Sequence, residues 1–212
     1  MRSIMRAWRR VFLVAVAFSL TVAAISPGAV AALGHGAHTV QSLYSTLLAV
    51  MRDGATLGPQ GRYAQIAPVV RRVFDIPLMT RVAVGPRWNE LSEAQRQKIA
   101  DAFARYIAAI YAERFDSYAG ERLQVTGEQP SPGGAIITSR IVKSDGEPVT
   151  VNYLMRDNGG VWQIADVYLD GTISELATRR SEFADILRRS GIEGLIEALN
   201  RKAATLSAAR AS

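Results

Sequence analysis

Hydrophobic positions along the chain change their period once, from helical to extended, and then change back. Val40, Leu43, Tyr44, Leu47, Leu48 and Met51 recur at helical spacing, with Thr39 as a candidate N-cap and Gly54 as the stop. Gly58, Pro59 and Gly61 read as a loop. Tyr63, Ile66, Val69, Val70, Val73 and Phe74 then resume the helical period. Pro68 is expected to interrupt or restart that helix, because proline removes a backbone donor. Asp75 before Pro77 marks a short helix to about Val84, broken by Gly85-Pro86. Ser92-Glu93-Ala94-Gln95 is a capping box, in which hydroxyl and amide satisfy free backbone donors. It opens the longest helix, to about Tyr118 and roughly 39 Å long. Ile99, Phe103, Tyr106, Ile107, Ile110, Tyr111 and Phe115 form its apolar face.

From Leu123 the period falls to two. Leu123–Thr126, Ala135–Val142, a run alternating through Val149, Val151, Tyr153 and Met155, and Val161–Leu169 read as four strands. Asp145-Gly146 and Asp157-Asn158-Gly159-Gly160 are the turn signals between the last three. On the fourth strand Trp162, Ile164, Asp166 and Tyr168 share one face and Gln163, Ala165, Val167 and Leu169 the other, unless a bulge mixes them. Leu176, Phe183, Ile186 and Leu187 return to helical spacing, Gly191 caps that helix, and Ile192, Leu195, Ile196 and Leu199 form a last one. Helices, then four antiparallel strands, then helices predict an α+β domain, a curved sheet closed on one face by the long helix.

The first 31 residues stand apart. Arg2, Arg6, Arg9 and Arg10 precede the apolar run Val11–Ala24, about 21 Å as a helix and too short for a hydrocarbon core of roughly 30 Å. Small residues ending in Ala29-Val30-Ala31 complete a secretory signal peptide over 1–31, which implies export to the periplasm. Arg9-Arg10-Val11-Phe12-Leu13 also fits part of the twin-arginine pattern. Residues 32–37 read as a disordered linker, 38–202 as the folded domain and 203–212 as a frayed tail.

Charge and composition then narrow the chemistry. The chain carries 25 Lys and Arg against 19 Asp and Glu, a formal net charge of +6. Residues 1–31 hold four of the cations and no acid, so their removal leaves 21 against 19 and a net of +2. No nucleic-acid partner is expected from that balance. With no Cys and two His, His35 and His38, thiol chemistry is excluded and no metal site or cofactor is expected. No catalytic residue is assigned. Asp166 beside Tyr153 could serve a cone-shaped isomerase as base and oxyanion donor; it could equally accept backbone hydrogen bonds at a strand end. Arg71, Arg72, Arg81 and Arg87 fall in one segment, and Arg81 and Arg87 are the first candidates to hold an anionic head group, with Arg179-Arg180 and Arg188-Arg189 as lesser ones.

Tyr153-Leu154-Met155, Gly160–Val167, Gly171, Arg180-Ser181-Glu182-Phe183, Ile186-Leu187-Arg188, Gly191 and Leu195-Ile196 form an ordered set. With Phe74-Asp75-Ile76, Met79, Val84-Gly85 and Trp88 upstream, this set resembles the MlaC, or toluene-tolerance, family. That family is the periplasmic phospholipid-binding component of the Mla (maintenance of lipid asymmetry) transport system. The resemblance covers about residues 38–202. It departs at Gly171–Phe183, which is one residue longer than the family's G-V-S-L-V-x-N-Y-R-S-x-F run and lacks its Asn-Tyr. This variant is similar to the hopanoid-biosynthesis-associated branch, which leaves phospholipid and hopanoid as alternative ligands.

The resemblance implies an NTF2-like cone with acyl tails between sheet and helices. It also implies an inner-membrane Mla-type ABC transporter or hopanoid transporter as partner, an outer-membrane lipoprotein complex, and a monomeric shuttle. Two tails hold roughly 30 methylenes, about 24 kcal/mol against water, so a dry carrier is needed to cross the aqueous space. Apolar periodicity within that architecture places Phe74, Met79, Val82, Phe103, Ile107, Tyr111, Val151, Tyr153, Trp162, Ile164 and Val167 around the pocket. A cone-fold isomerase or hydratase acting on a terpenoid lipid, and a non-lipid envelope adaptor, are the competing readings.

Overall fold

The computed structural model describes residues 34–208. The signal peptide expected over 1–31 lies outside them. Five α-helices and one antiparallel sheet follow in the order α1 (His35–Arg52), α2 (Gly54–Val73), α3 (Ile76–Val84), a 3-10 turn (Gly85–Glu90), α4 (Glu93–Arg114), β1 (Arg122–Ser131), β2 (Gly134–Val142), β3 (Pro148–Asn158), β4 (Val161–Leu169), β5 (Ile173–Ser174) and α5 (Glu175–Ser207). The fold is α+β, with the strands in sequential order β1-β2-β3-β4-β5. Four strands were expected. The fifth is a two-residue pairing of Ile173 and Ser174 with Leu169 and Tyr168, too short to leave a period-two signal.

The helix boundaries carry three corrections. Residues expected to be linker form the first turn of α1, where Gly36 and Ala37 are buried. A Cβ at Gly36 would stand 3.2–3.3 Å from Ile137, Met155 and Trp162, so glycine lets the turn lie on the sheet. Thr39 therefore does not cap; its hydroxyl donates to the Trp162 carbonyl oxygen at 3.0 Å. In α2 the chain departs from helical geometry only at Gly58 (φ 60°, ψ 177°), and Pro68 is carried inside the helix without a restart. At the other end, residues expected to fray continue α5 to Ser207, with Ala203 buried. Gly191 (φ 64°, ψ −166°) breaks α5 in two, a conformation essentially restricted to glycine.

The capping box at Ser92 and Gln95 forms as read, and α4 runs from it to Arg114, one turn short of the expected end. Two bulges shape the sheet. Thr126 is the extra residue between β1 and β2, and Ala165 the extra residue between β3 and β4, since Leu154 pairs with Asp166 and Met155 with Ile164. The second bulge reverses the alternation along β4. Ile164 before it and Val167 after it are both buried, as a mixed register requires.

α1 lies directly on the strands, whereas α4 packs on α2, α3 and α5 and stands away from the sheet. The core is filled where α1 meets Ile137, Met155 and Ile164, all fully buried. Where the sheet faces α4 instead, a gap remains. Among the described residues no helix is long and apolar enough to cross a membrane.

Candidate functional site: an apolar cavity with a charged mouth

The gap is a cavity of about 330 Å³, at the lower end of the range usual for small-molecule pockets. The sheet contributes Ile141 from β2, Val149, Val151 and Tyr153 from β3, and Val167 and Leu169 from β4. Opposite them α4 presents Phe103, Tyr106, Ile107, Ile110 and Tyr111, with Phe115 just beyond its end. Phe74 and Met79 close one side and Leu176 another. Aromatic edges stiffen the wall. Tyr111 stacks on Phe115 with ring centroids 5.7 Å apart and meets Phe74 edge-on at 5.7 Å. Such pairs hold rings in place beyond what area burial alone supplies.

Phe74 reaches the cavity because the turn before α3 is tied to β4. The Asp75 amide donates to the Ile164 carbonyl at 2.9 Å, and the Asp75 carboxylate accepts from the Leu78 amide at 3.1 Å and the Asn158 side-chain amide at 3.0 Å. The first turn of α5 is tied down by Asp166. Its carboxylate accepts from the amides of Val167 (2.7 Å) and Leu176 (3.1 Å) and from the Ser174 hydroxyl (2.6 Å). Ser174 in turn caps α5 through the Ala177 amide at 2.9 Å. Asp166 is thus an anchor between β4 and α5 and does not line the cavity, which removes the base that the isomerase reading requires.

Charged groups mark the rim. Arg114, Glu175 and Arg179 line the cavity. Arg179 pairs with Glu175 at 3.0 Å and Glu182 at 2.9 Å and lies 5.6 Å from the Tyr106 ring centre. Burial disfavours the Arg179 charge, but Tyr106, Glu182 and Glu175 outweigh it and raise its pKa. Arg114 is exposed at the end of α4 and forms no salt bridge among the described residues.

Of the eleven residues expected at a pocket, the structure brings together Phe74, Met79, Phe103, Ile107, Tyr111, Val151, Tyr153 and Val167. Three placements need correction. Val82 points outward from α3 and is 37% exposed. Ile164 is fully buried in the filled part of the core, bridged to Phe74. Trp162 lies under the N-terminus of α1, in a separate surface groove with His35, His38 and Arg72. Both residues are on the inner face but at the end of β4 that α1 covers. Arg81 and Arg87 are exposed and do not line the cavity. Arg71 is paired with Asp101 at 2.9 Å and Arg72 approaches the Ser42 hydroxyl at 3.4 Å. Of the rim cations, Arg179 was among the lesser head-group candidates and lines the cavity, whereas Arg114 was not chosen. The signal at Arg114 was positional: it sits at the end of a helix whose apolar face was already legible.

An α+β domain holding a partly open apolar cavity with charged residues in its lining defines a binding protein for an amphipathic molecule. The chain belongs to the MlaC protein family, whose pattern matches residues 41–201. Its fold is similar to the three-dimensional structure of the phospholipid-binding protein from Ralstonia solanacearum in complex with a phospholipid. The TM-score is 0.71 at 21% identity, over 82% of this chain and 100% of that one.

Proposed function

We propose that this protein is a periplasmic lipid carrier. A lipid tail occupies the cavity between α4 and the sheet, and the head group stays at the rim formed by Arg114, Glu175 and Arg179. The protein acts as the soluble component of an Mla-type transport system and moves phospholipid, or hopanoid, between the inner and outer membranes. An inner-membrane transporter and an outer-membrane lipoprotein complex are its exchange partners. The observation that carries the reading is the cavity itself: its wall is apolar along the sheet and α4, and its charged lining residues, Arg114, Glu175 and Arg179, are all at least partly exposed. The family membership and the phospholipid in the Ralstonia protein support it. Moving a tail from bilayer to a dry apolar wall is nearly isoenergetic, since the methylenes leave one apolar surroundings for another. Loading and release then need no chemical step, and no catalytic residue is assigned.

Filling the cavity tests this. Val151→Trp from the sheet, or Ile107→Trp from α4, puts an indole where a tail would lie. Lipid recovered with the purified variant should fall several-fold while its circular dichroism stays that of the parent. Undiminished lipid in both folded variants would contradict the reading.

A further inference from the structure

The charged residues of the cavity lining include one donor and one acceptor that the fold leaves unmatched. Arg114, exposed at the end of α4, presents a fork of N–H donors and makes no side-chain hydrogen bond or salt bridge among the described residues. Glu175, the first residue of α5, accepts from Arg179 at 3.0 Å through Oε2, and its Oε1 accepts nothing among the described residues. Both residues line the cavity and both reach solvent.

Their spacing follows from how the two helices run. Phe103 on α4 meets Phe183 on α5 edge-on at 5.5 Å, and the Tyr106 ring meets the Arg179 guanidinium at 5.6 Å. A step forward along α4 is thus a step back along α5, so the helices are antiparallel here and Glu175 falls level with Ile110. Arg114 stands one turn further on, about 6 Å along the axis. Arg179 does not compete with Arg114 for a ligand, because its guanidinium donates to Glu175 and, at 2.9 Å, to Glu182. Two carboxylates on one guanidinium leave that cluster with a net negative charge. Arg114 supplies a positive charge a turn away.

We infer that Arg114 and Glu175 form a head-group subsite for a phosphate linked to an ammonium that bears N–H groups, the phosphoethanolamine class. Arg114 donates to the phosphate, and Glu175 Oε1 accepts from the ammonium. The inference rests on the proposed carrier function and specifies its head group. A phosphoglycerol head satisfies Arg114 but leaves Glu175 without a cation. A phosphocholine head brings a cation with no N–H to donate. Quaternary ammonium groups are held on aromatic faces, and the nearby face, that of Tyr106, is already approached by Arg179 and by Lys202 at 5.7 Å.

The test is a competition read by native mass spectrometry. The protein is incubated with vesicles holding equal amounts of palmitoyl-oleoyl phosphatidylethanolamine, phosphatidylcholine and phosphatidylglycerol, so that only the head group varies. The ethanolamine lipid should exceed each of the others about threefold to fivefold at low salt, the worth of a half-exposed ion pair, and by less at high salt. Successive N-methylation of the ethanolamine keeps its charge while removing its N–H groups. One N–H suffices for Glu175, so the fall in binding should come at the last methyl. Glu175→Ala should erase the preference over choline. Arg114→Gln should lower retention of all the head groups together, because each carries the phosphate. Equal binding of the ethanolamine and choline lipids, a preference for phosphatidylglycerol, or an even decline along the methyl series would overturn the inference with the carrier reading intact. So would a preference that survives in folded Glu175→Ala, or undiminished retention by Arg114→Gln. Refusal of every phospholipid would also overturn it, and refusal of a hopanoid as well would overturn the carrier reading with it.

Discussion

Tyr153 stands at the junction of sheet, cavity and α1, and its burial has a consequence that reaches beyond binding. Desolvation pushes its pKa well above the ordinary value of 10.0, and Tyr44 and Tyr111 shift the same way. A tyrosine whose folded pKa exceeds its unfolded one contributes stability that is fully present below the unfolded value. That stability is lost as pH rises from there towards the folded value. The domain should therefore hold its urea midpoint up to about pH 10 and lose stability steeply above it, by up to ~1.4 kcal/mol per pH unit for each tyrosine. Tyr153→Phe should flatten that slope, measured by urea titrations at about pH 9 and about pH 11. An unchanged slope would remove these tyrosines from the alkaline transition. The aromatic pattern of the long helix and third strand made Tyr111 and Tyr153 visible as inward residues. The hydrogen bond between the Tyr44 and Ser139 hydroxyls was not legible, because the two residues lie 95 positions apart and meet only through the fold.

At the scale of elements, period gave the faces well and the positions along them poorly. Val151 and Tyr153 alternate cleanly on β3 and reach the cavity. Trp162 and Ile164 share the same inner face of β4 yet lie under α1, because no period records which helix covers which end of a strand. The bulge at Ala165 explains why Val167 and Leu169 line the cavity while Asp166 turns to α5. The linker was misjudged for a related reason: Gly36 and Ala37 carry no strong hydrophobic signal, but their smallness is what lets α1 touch the sheet. Asp166→Ala should cost about 2 kcal/mol by removing the carboxylate that holds the start of α5 on β4. Urea unfolding would measure it, with lipid occupancy of the folded variant retained. Unchanged stability, or loss of lipid without loss of stability, would contradict this anchoring role.

For the domain over residues 34–208, the separation of α4 from the sheet is the organising fact. α1 fills one end of the interior and α4 leaves the other open, so one core does two jobs along its length. The helix-strand-helix order made the class legible, since a curved sheet must close one face on helices. The size of the gap was not, because cavity volume depends on how far α2, α3 and α5 hold α4 from the strands, a sum of contacts distant in sequence. The most direct test of the account is native mass spectrometry of the protein, purified without detergent, followed by organic extraction and lipid identification. The account predicts a complex of the polypeptide with bound lipid, recovered as phospholipid or hopanoid. A bare polypeptide mass, unchanged after incubation with vesicles of either lipid class, would contradict it.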